Sequence, residues 1–214
     1  MASVARYYNL DKVVTEYASK HESCNLIYLG VGLETAYDRL FEKISKKVKW
    51  YSIDLPEVIE ARRKVFGQRE NETMISSDIF KMDWTSKIDT HKPSLLIICG
   101  VFQYFHEEEI VNFIKNCKDC FESAEMIFDA TNESGLKFTN HFIKKTGNNA
   151  LMYFYVNDSQ KFTKKCNVSL ISEIPFFNDA LKLLKGKLNM VTTISMKVAD
   201  KKRQTKFVYL SLSN

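Results

Sequence analysis

Residues 25–35 read Asn-Leu-Ile-Tyr-Leu-Gly-Val-Gly-Leu-Glu-Thr, and they form the most informative segment of the sequence. A short apolar run ends at Leu29 and passes through Gly30-Val-Gly32 into a helical pattern. A strand, a glycine turn and a helix in this order are typical of the first unit of an open α/β sheet, which binds ligands at the carboxyl ends of its strands. We therefore expect a ligand at this turn.

The next two apolar runs end in acids that suit the same ligand. A glycine turn admits a ligand close to the backbone, and the helix behind it offers free N–H groups. Asp54 ends the second run, where a carboxylate can accept hydrogen bonds from both ribose hydroxyls. Asp78 follows the third run within Ser76-Ser77-Asp78-Ile79, where an acid can accept from an exocyclic amine while Ile79 covers an adenine face. The pattern indicates an adenosine-containing cofactor.

The third small residue of a dinucleotide-binding turn is absent from this stretch. That position in Gly30-x-Gly32-x-x-Thr35 holds Thr, where a dinucleotide enzyme needs Gly or Ala for close helix packing beside the pyrophosphate. The sequence therefore favours a cofactor without a pyrophosphate. A conventional nucleotide-binding domain remains a weaker alternative.

Along the rest of the chain, short β-rich runs alternate with helical patterns, which predicts a parallel sheet. The predicted strands are Leu26–Leu29, Lys49–Ile53, Thr73–Ser76, Ser94–Ile98, Met126–Asp129 and Thr205–Leu212. The predicted helices are Glu34–Ser45, one that starts at Pro56, one that starts at His106 with three acids after it, Lys137–Lys145 and Asn178–Leu184. The runs Leu151–Val156 and Val168–Ile174 fit either class.

Composition is that of one globular domain over residues 1–214, with 45% hydrophobic residues and no repeat or low-complexity tract. The 31 Lys and Arg exceed the 26 Asp and Glu by five without a long basic block, so nucleic-acid binding is permitted but not indicated. The short basic stretch Lys201–Lys206 is typical of a solvated turn before a strand, with phosphate contact as the less favoured reading.

Five irregularly spaced cysteines and the lack of a signal-peptide pattern predict a reduced, cytoplasmic protein. The longest apolar run, Leu95–Phe105, is too short to span a bilayer, so we expect no membrane segment and no membrane partner. Cys117-x-x-Cys120 lies within a helical stripe without a second ligand pair at zinc spacing, so we expect core packing and no metal.

Three motifs carry a resemblance to a known family. They are Leu29-Gly-Val-Gly-Leu-Glu-Thr35 followed by Arg39-Leu40, Trp50-Tyr-Ser-Ile-Asp-Leu-Pro-Glu-Val58 followed by Arg62-Arg63, and Asp78 followed by Asp83-Trp84. In these the chain resembles the class I S-adenosylmethionine-dependent methyltransferases that include leucine carboxyl methyltransferases and polyketide O-methyltransferases of tetracenomycin type. Two positions depart from the family pattern: Glu34 replaces its usual Asp, and Cys99 stands where a cofactor-contacting Glu is usual.

The resemblance implies an α/β, Rossmann-like fold with a seven-stranded, mostly parallel sheet of order 3-2-1-4-5-7-6 and helices on both faces, Thr205–Leu212 being the antiparallel strand. It implies S-adenosyl-L-methionine as cofactor and S-adenosyl-L-homocysteine as product. Arg6 is the local match to an arginine that holds the methionine carboxylate in the family. Residue pattern and resemblance together give the cofactor-binding set as Arg6, Leu29, Gly30, Gly32, Thr35, Asp54, Leu55, Ser77, Asp78, Ile79, Cys99 and Gly100.

The expected reaction is methyl transfer to a carboxylate or hydroxyl of a small molecule or a protein C-terminus. A carboxylate, with a pKa of about 4, is ionised at neutral pH and needs no base, whereas a phenol near 10 benefits from one. Tyr104, His106 and His141 are the candidates for a base or an orienting group, although structural or solvated roles are favoured for both histidines. A fold of this family that binds a cofactor or nucleotide without catalysis is the alternative, and neither the acceptor nor the oligomeric state follows from the sequence.

Overall fold

The structure is a computed structural model that describes residues 2–146 and 150–213. Within these residues, seven strands form one sheet in the order β3-β2-β1-β4-β5-β7-β6, which confirms the predicted topology. The strands are β1 (Asn25–Leu29), β2 (Lys49–Asp54), β3 (Glu72–Ser76), β4 (Ser94–Ile98), β5 (Ala124–Thr131), β6 (Ser169–Pro175) and β7 (Thr205–Ser211).

Strands β1 to β5 run parallel, and β7 runs antiparallel between β5 and β6. The central strands β1 and β4 are buried at all five positions because helices cover both faces of the sheet. Their carboxyl ends, together with those of β2, β3 and β5, therefore meet along one edge, and the start of β7 lies at the same edge because Thr205 pairs with Thr131.

The helices are α1 (Ala2–Lys20), α2 (Ala36–Leu40), α3 (Pro56–Phe66), α4 (Glu107–Cys120), α5 (Glu133–Lys145), α6 (Ser159–Cys166), α7 (Asn178–Leu183) and α8 (Met190–Lys201). Short 3-10 helices cover Phe41–Lys43, Ile79–Lys81, Asp83–Lys87 and Phe102–Tyr104. Pro56 occupies the first turn of α3, where its missing N–H costs nothing, and three acids open α4 at the positive end of its dipole.

The core is divided by the sheet. Ile27 and Leu29 of β1 point to the face that also buries Phe113 of α4, whereas Leu26 and Tyr28 point to the face covered by α1 and α2. This alternation is the period-two consequence of the extended backbone. No helix among the described residues is long and apolar enough to cross a membrane.

Several elements differ from the sequence prediction. The helix expected over Glu34–Ser45 is shorter, because α2 ends at Leu40 and the chain tightens into a 3-10 turn. The ambiguous run at 168–174 forms β6, and the run at 151–156 is irregular. Helices α1, α6 and α8 were not predicted.

Candidate functional site

The turn after β1 brings the backbone against the chain that follows β4. Gly30 has a φ of +65°, and a Cβ at this position would lie 2.3 Å from Cγ2 of Val101. Both the left-handed backbone and the close approach require glycine here. The N–H groups of Gly30 and Val31 donate to the carbonyl of Ile53 at 2.9 and 3.2 Å, so the turn is fixed to the end of β2.

Asp54 lies directly beside this turn. Its carboxylate accepts from the N–H of Gly32 at 2.8 Å and from the N–H of Leu55 at 2.8 Å, one bond to each oxygen. A carboxylate has about four acceptor positions, so two remain for a ligand with paired hydroxyls. The side chain that the sequence assigned to a ribose is thus oriented by the backbone of the turn.

A buried ion pair supports the glycine turn. Arg62 and Glu72 are almost fully buried and lie 2.9 Å apart. The guanidinium of Arg62 also donates to the carbonyls of Gly32 at 3.3 Å and Glu34 at 2.7 Å. The arginine of the second sequence motif therefore has a positioning role, because it links α3, β3 and the glycine turn.

A cavity of about 360 Å³ opens between α1 and the glycine turn. Six predicted cofactor residues line it, namely Arg6, Leu29, Gly30, Gly32, Cys99 and Gly100. Its other lining residues are Tyr7, Leu10, Tyr28, Val31, Leu33, Glu34 and Ile97. The cavity thus joins an N-terminal helix, the turn after β1 and the end of β4.

Arg6 pairs with Asp129 across the end of β5. Its Nη2 lies 2.7 Å from Oδ2 of Asp129, whose other oxygen accepts from the N–H of Gly100 at 2.8 Å. Burial by itself lowers the pKa of Arg6, but the nearby negative charges, chiefly that of Asp129, outweigh this effect. The pKa of Arg6 therefore lies above its usual value, and the guanidinium stays charged. A cation is therefore fixed beside the cavity.

Cys99 lines the cavity as a neutral thiol. Burial, and next the nearby carboxylate of Asp129, raise the pKa of this thiol well above its usual value. It therefore supplies no negative charge at the position where the family resemblance implies a cofactor-contacting Glu.

The remaining predicted cofactor residues lie along the neighbouring loops rather than in the cavity lining. The Asp78 carboxylate accepts from the N–H of Phe80 at 3.0 Å and caps a 3-10 turn, and Ile79 is buried in the core. The Ser77 hydroxyl donates to the carboxylate of Asp83. Leu55 is exposed at the end of β2, and the hydroxyl of Thr35 accepts from Arg39 at 2.6 Å.

The three catalytic candidates do not meet at this cavity. Tyr104 is half exposed after β4, and His141 is exposed on α5. His106 precedes α4 with its ring 4.6 Å from that of Tyr153, and it lines a separate groove of about 430 Å³ with Lys161 among others. The assignment of the histidines to a base and of Tyr104 to an orienting group stays a prediction.

Sequence reasoning missed Asp129 as a site residue, although an acid at a strand's carboxyl end was a usable signal. It also missed a second cavity of about 130 Å³, whose lining includes Arg6, Gln103, Asp129 and Thr139. Arg6 lines both cavities, so they meet at its side chain.

A family model for leucine carboxyl methyltransferase matches residues 1–118. The tetracenomycin polyketide synthesis O-methyltransferase of Streptomyces glaucescens is 23% identical over 140 residues, which cover 64% of this chain and 51% of that protein. The chain thus spans about half the length of this curated relative.

Solved structures share the architecture at low identity. A DUF574 family protein from Streptomyces avermitilis matches with a TM-score of 0.72 and 10% identity over 96% of this chain and 82% of its own. The magnesium protoporphyrin IX methyltransferase of Synechocystis, crystallised with bound S-adenosylhomocysteine, matches with a TM-score of 0.59 and 11% identity over 97% and 84%. At these identities the likeness establishes the fold.

Proposed function

Because this chain belongs to the leucine carboxyl methyltransferase family, we propose that it is an S-adenosylmethionine-dependent O-methyltransferase. The acceptor is a carboxylate or hydroxyl of a small molecule or of a protein C-terminus. The observation that carries the proposal is the Asp54 carboxylate bound to the N–H of Gly32 at 2.8 Å, beside a cavity that holds a charged arginine. The relative from Streptomyces glaucescens is named an O-methyltransferase, which supports the same reaction class.

The residues present fit this cofactor. Asp54 retains acceptor positions for the ribose hydroxyls, and Asp78 retains them for the exocyclic amine of adenine. Ile79 is buried in the core, so its side chain offers adenine little surface. Arg6 offers a cation for the carboxylate of the methionine part. We assign Leu29, Gly30, Gly32, Thr35, Leu55, Ser77, Cys99 and Gly100 to the walls and backbone of the same site. The bound cofactor supplies an electrophilic methyl group on a sulfonium.

The chain's own task is then to position an acceptor and exclude water. The smaller cavity at Arg6 is suited to the acceptor's reacting group, because Gln103 and Thr139 offer polar atoms and Phe154 adds an apolar ring to its lining. A carboxylate acceptor would need no base, which fits the positions of Tyr104 and His106 outside these two cavities.

One observation favours a second candidate, a protein that binds the cofactor without catalysis. Cys99 is neutral, so this position lacks the cofactor-contacting carboxylate that the family resemblance implies there. Such a protein would retain the cofactor and release no S-adenosylhomocysteine with any acceptor.

Isothermal titration with S-adenosylhomocysteine tests the cofactor assignment, with NADH as the competing ligand. We expect the unmodified chain to bind S-adenosylhomocysteine and not NADH, Asp54→Ala to lose binding, and Asp119→Ala, an exposed acid on α4, to bind normally. Circular dichroism of each variant separates lost binding from unfolding. Absence of binding by the unmodified chain would refute the proposal, and binding without turnover across carboxylate and phenol acceptors would favour the second candidate.

A further inference from the structure

The net charge of the chain resides in one segment, residues 178–203, which runs from the start of α7 to the turn before β7. This segment holds seven of the 31 Lys and Arg residues and two of the 26 Asp and Glu residues, which leaves 24 of each elsewhere. The segment therefore carries a formal charge of +5 on an otherwise balanced protein. Among the described residues, five of its lysines form no ion pair: Lys185, Lys187, Lys197, Lys201 and Lys202.

The acids of this segment are already engaged. Asp179 lies 3.0 Å from Lys182, and the carboxylate of Asp200 accepts from the N–H of Phe177 at 3.0 Å. They therefore leave the five lysines without a counter-charge. The basic stretch at Lys201–Lys206, which sequence alone favoured as a plain turn, is the end of this larger basic surface.

Helix α8 exposes an apolar stripe between these lysines. Met190 is 79% exposed, Val191 75%, Ile194 55% and Val198 40%, whereas Met196 on the opposite side is buried. Val191, Ile194 and Val198 are three and four positions apart, so they share one side of the helix. The exposure of these four apolar side chains to water costs free energy, which a partner covering the stripe would recover.

We propose that residues 178–203 dock this protein on the surface of an anionic phospholipid bilayer, with α8 lying in the interface. A helix with an aliphatic face and flanking lysines is the form that binds at the boundary of headgroups and acyl chains. Nucleic acid would satisfy the lysines but not the aliphatic stripe. No described helix is long and apolar enough to cross a membrane, so the proposed contact lies at the bilayer surface. It departs from the sequence expectation of no membrane partner, because the exposure of this segment was apparent only in the fold.

Docking in this way places the candidate site close to the lipid. Residues 202 and 203 lead into β7, whose first residue, Thr205, lines the smaller cavity beside Arg6 and Asp129. Asn132, at the end of β5, donates to the carbonyl of Lys202 at 3.0 Å, which fixes this end of α8 to the carboxyl edge of the sheet. The surface that meets the bilayer therefore adjoins the acceptor side of the site.

Co-sedimentation with vesicles tests the proposal. The full chain is mixed with vesicles of phosphatidylcholine alone or of phosphatidylcholine with phosphatidylglycerol, and we expect binding to the anionic vesicles only. Each lysine near such a surface contributes about 1 kcal/mol, or roughly fivefold in partitioning. The variant Lys197→Gln/Lys201→Gln/Lys202→Gln should therefore lower partitioning about 100-fold.

Two matched variants separate this surface from general charge. Lys43→Gln/Lys46→Gln/Lys87→Gln removes the same charge from exposed lysines elsewhere and should leave binding unchanged. Val191→Asn/Ile194→Asn keeps every charge and should lower partitioning roughly tenfold or more, because aliphatic burial is lost. Absence of binding to anionic vesicles would overturn the proposal. Equal losses of vesicle binding in the two lysine variants would do the same. So would vesicle binding that Val191→Asn/Ile194→Asn leaves unchanged, if the chain also binds DNA equally well.

Discussion

Replacement of Gly30 by Ala should destabilise the fold through a specific contact. The added Cβ would lie 2.3 Å from Cγ2 of Val101, well inside van der Waals contact, on a backbone with φ of +65°. The left-handed conformation costs a non-glycine residue about 1–2 kcal/mol, and the overpacking costs about 1–3 kcal/mol more. We expect the free energy of unfolding to fall by about 2–5 kcal/mol, with weaker binding of S-adenosylhomocysteine by the folded fraction.

Urea unfolding followed by circular dichroism measures this loss. With an m-value of about 2 kcal/mol per molar urea, the midpoint should fall by roughly 1–2.5 M. Gly186→Ala is the matched control, because Gly186 has φ of +78° and nothing within 4 Å of a Cβ, so it should show the backbone cost alone. In the double variant Gly30→Ala/Val101→Ala the clash is removed, and a favourable coupling of about 1–3 kcal/mol is expected. A Gly30 variant no less stable than the Gly186 variant, or zero coupling, would refute the reasoning.

Three further predictions concern the groups around the turn. Asp129→Asn should lower the free energy of unfolding in urea by about 1–3 kcal/mol, less than for a fully buried ion pair because Arg6 is a third exposed. An unchanged midpoint would show that this ion pair does not stabilise the fold. Iodoacetamide should alkylate Cys99 slowly at pH 7 and faster well above pH 9, because the raised pKa keeps the thiol protonated at pH 7. Peptide mass spectrometry measures the rate, and fast alkylation at pH 7 would contradict the raised pKa. Arg62→Met should cost about 3 kcal/mol, the low end for a broken buried ion pair, because Glu72 keeps Arg69 at 3.4 Å as a charged partner. The double variant Arg62→Met/Glu72→Met should be more stable than Arg62→Met alone, as measured by thermal and urea unfolding.

The sheet was predictable because each central strand is a continuous apolar run between turn residues. The predicted bounds of β4 match the structure, and those of β1, β2 and β3 differ from it by at most one residue at each end. Strands β1 and β4 are the clearest because they are buried at every position, which leaves little room for polar residues. The order of the strands came from the resemblance. Helices α1 and α8 were not predicted because some of their apolar residues, such as Val4 and Ile194, are exposed. Apolar residues on the solvent side weaken the helical pattern in the sequence.

The half of the site at the ends of β1 and β2 was predictable because its residues lie within continuous motifs. The contact between Asp54 and Gly32 joins the two motifs that the sequence singled out. The partner of Arg6 was not predictable, because Asp129 lies 123 residues away and only the folded sheet brings the two together.

That separation has a consequence for the newly made chain. Helix α1 leaves the ribosome well before β5, because the carboxylate that pairs with Arg6 is synthesised 123 residues after Arg6 itself. At about 5–20 residues per second the delay is roughly 6–25 s. During that interval α1 has no end of β5 on which to dock, and the cavity beside the glycine turn lacks one wall. A nascent chain therefore gains its ligand site only after most of the sheet has emerged, and early capture of the cofactor cannot assist the first steps of its folding.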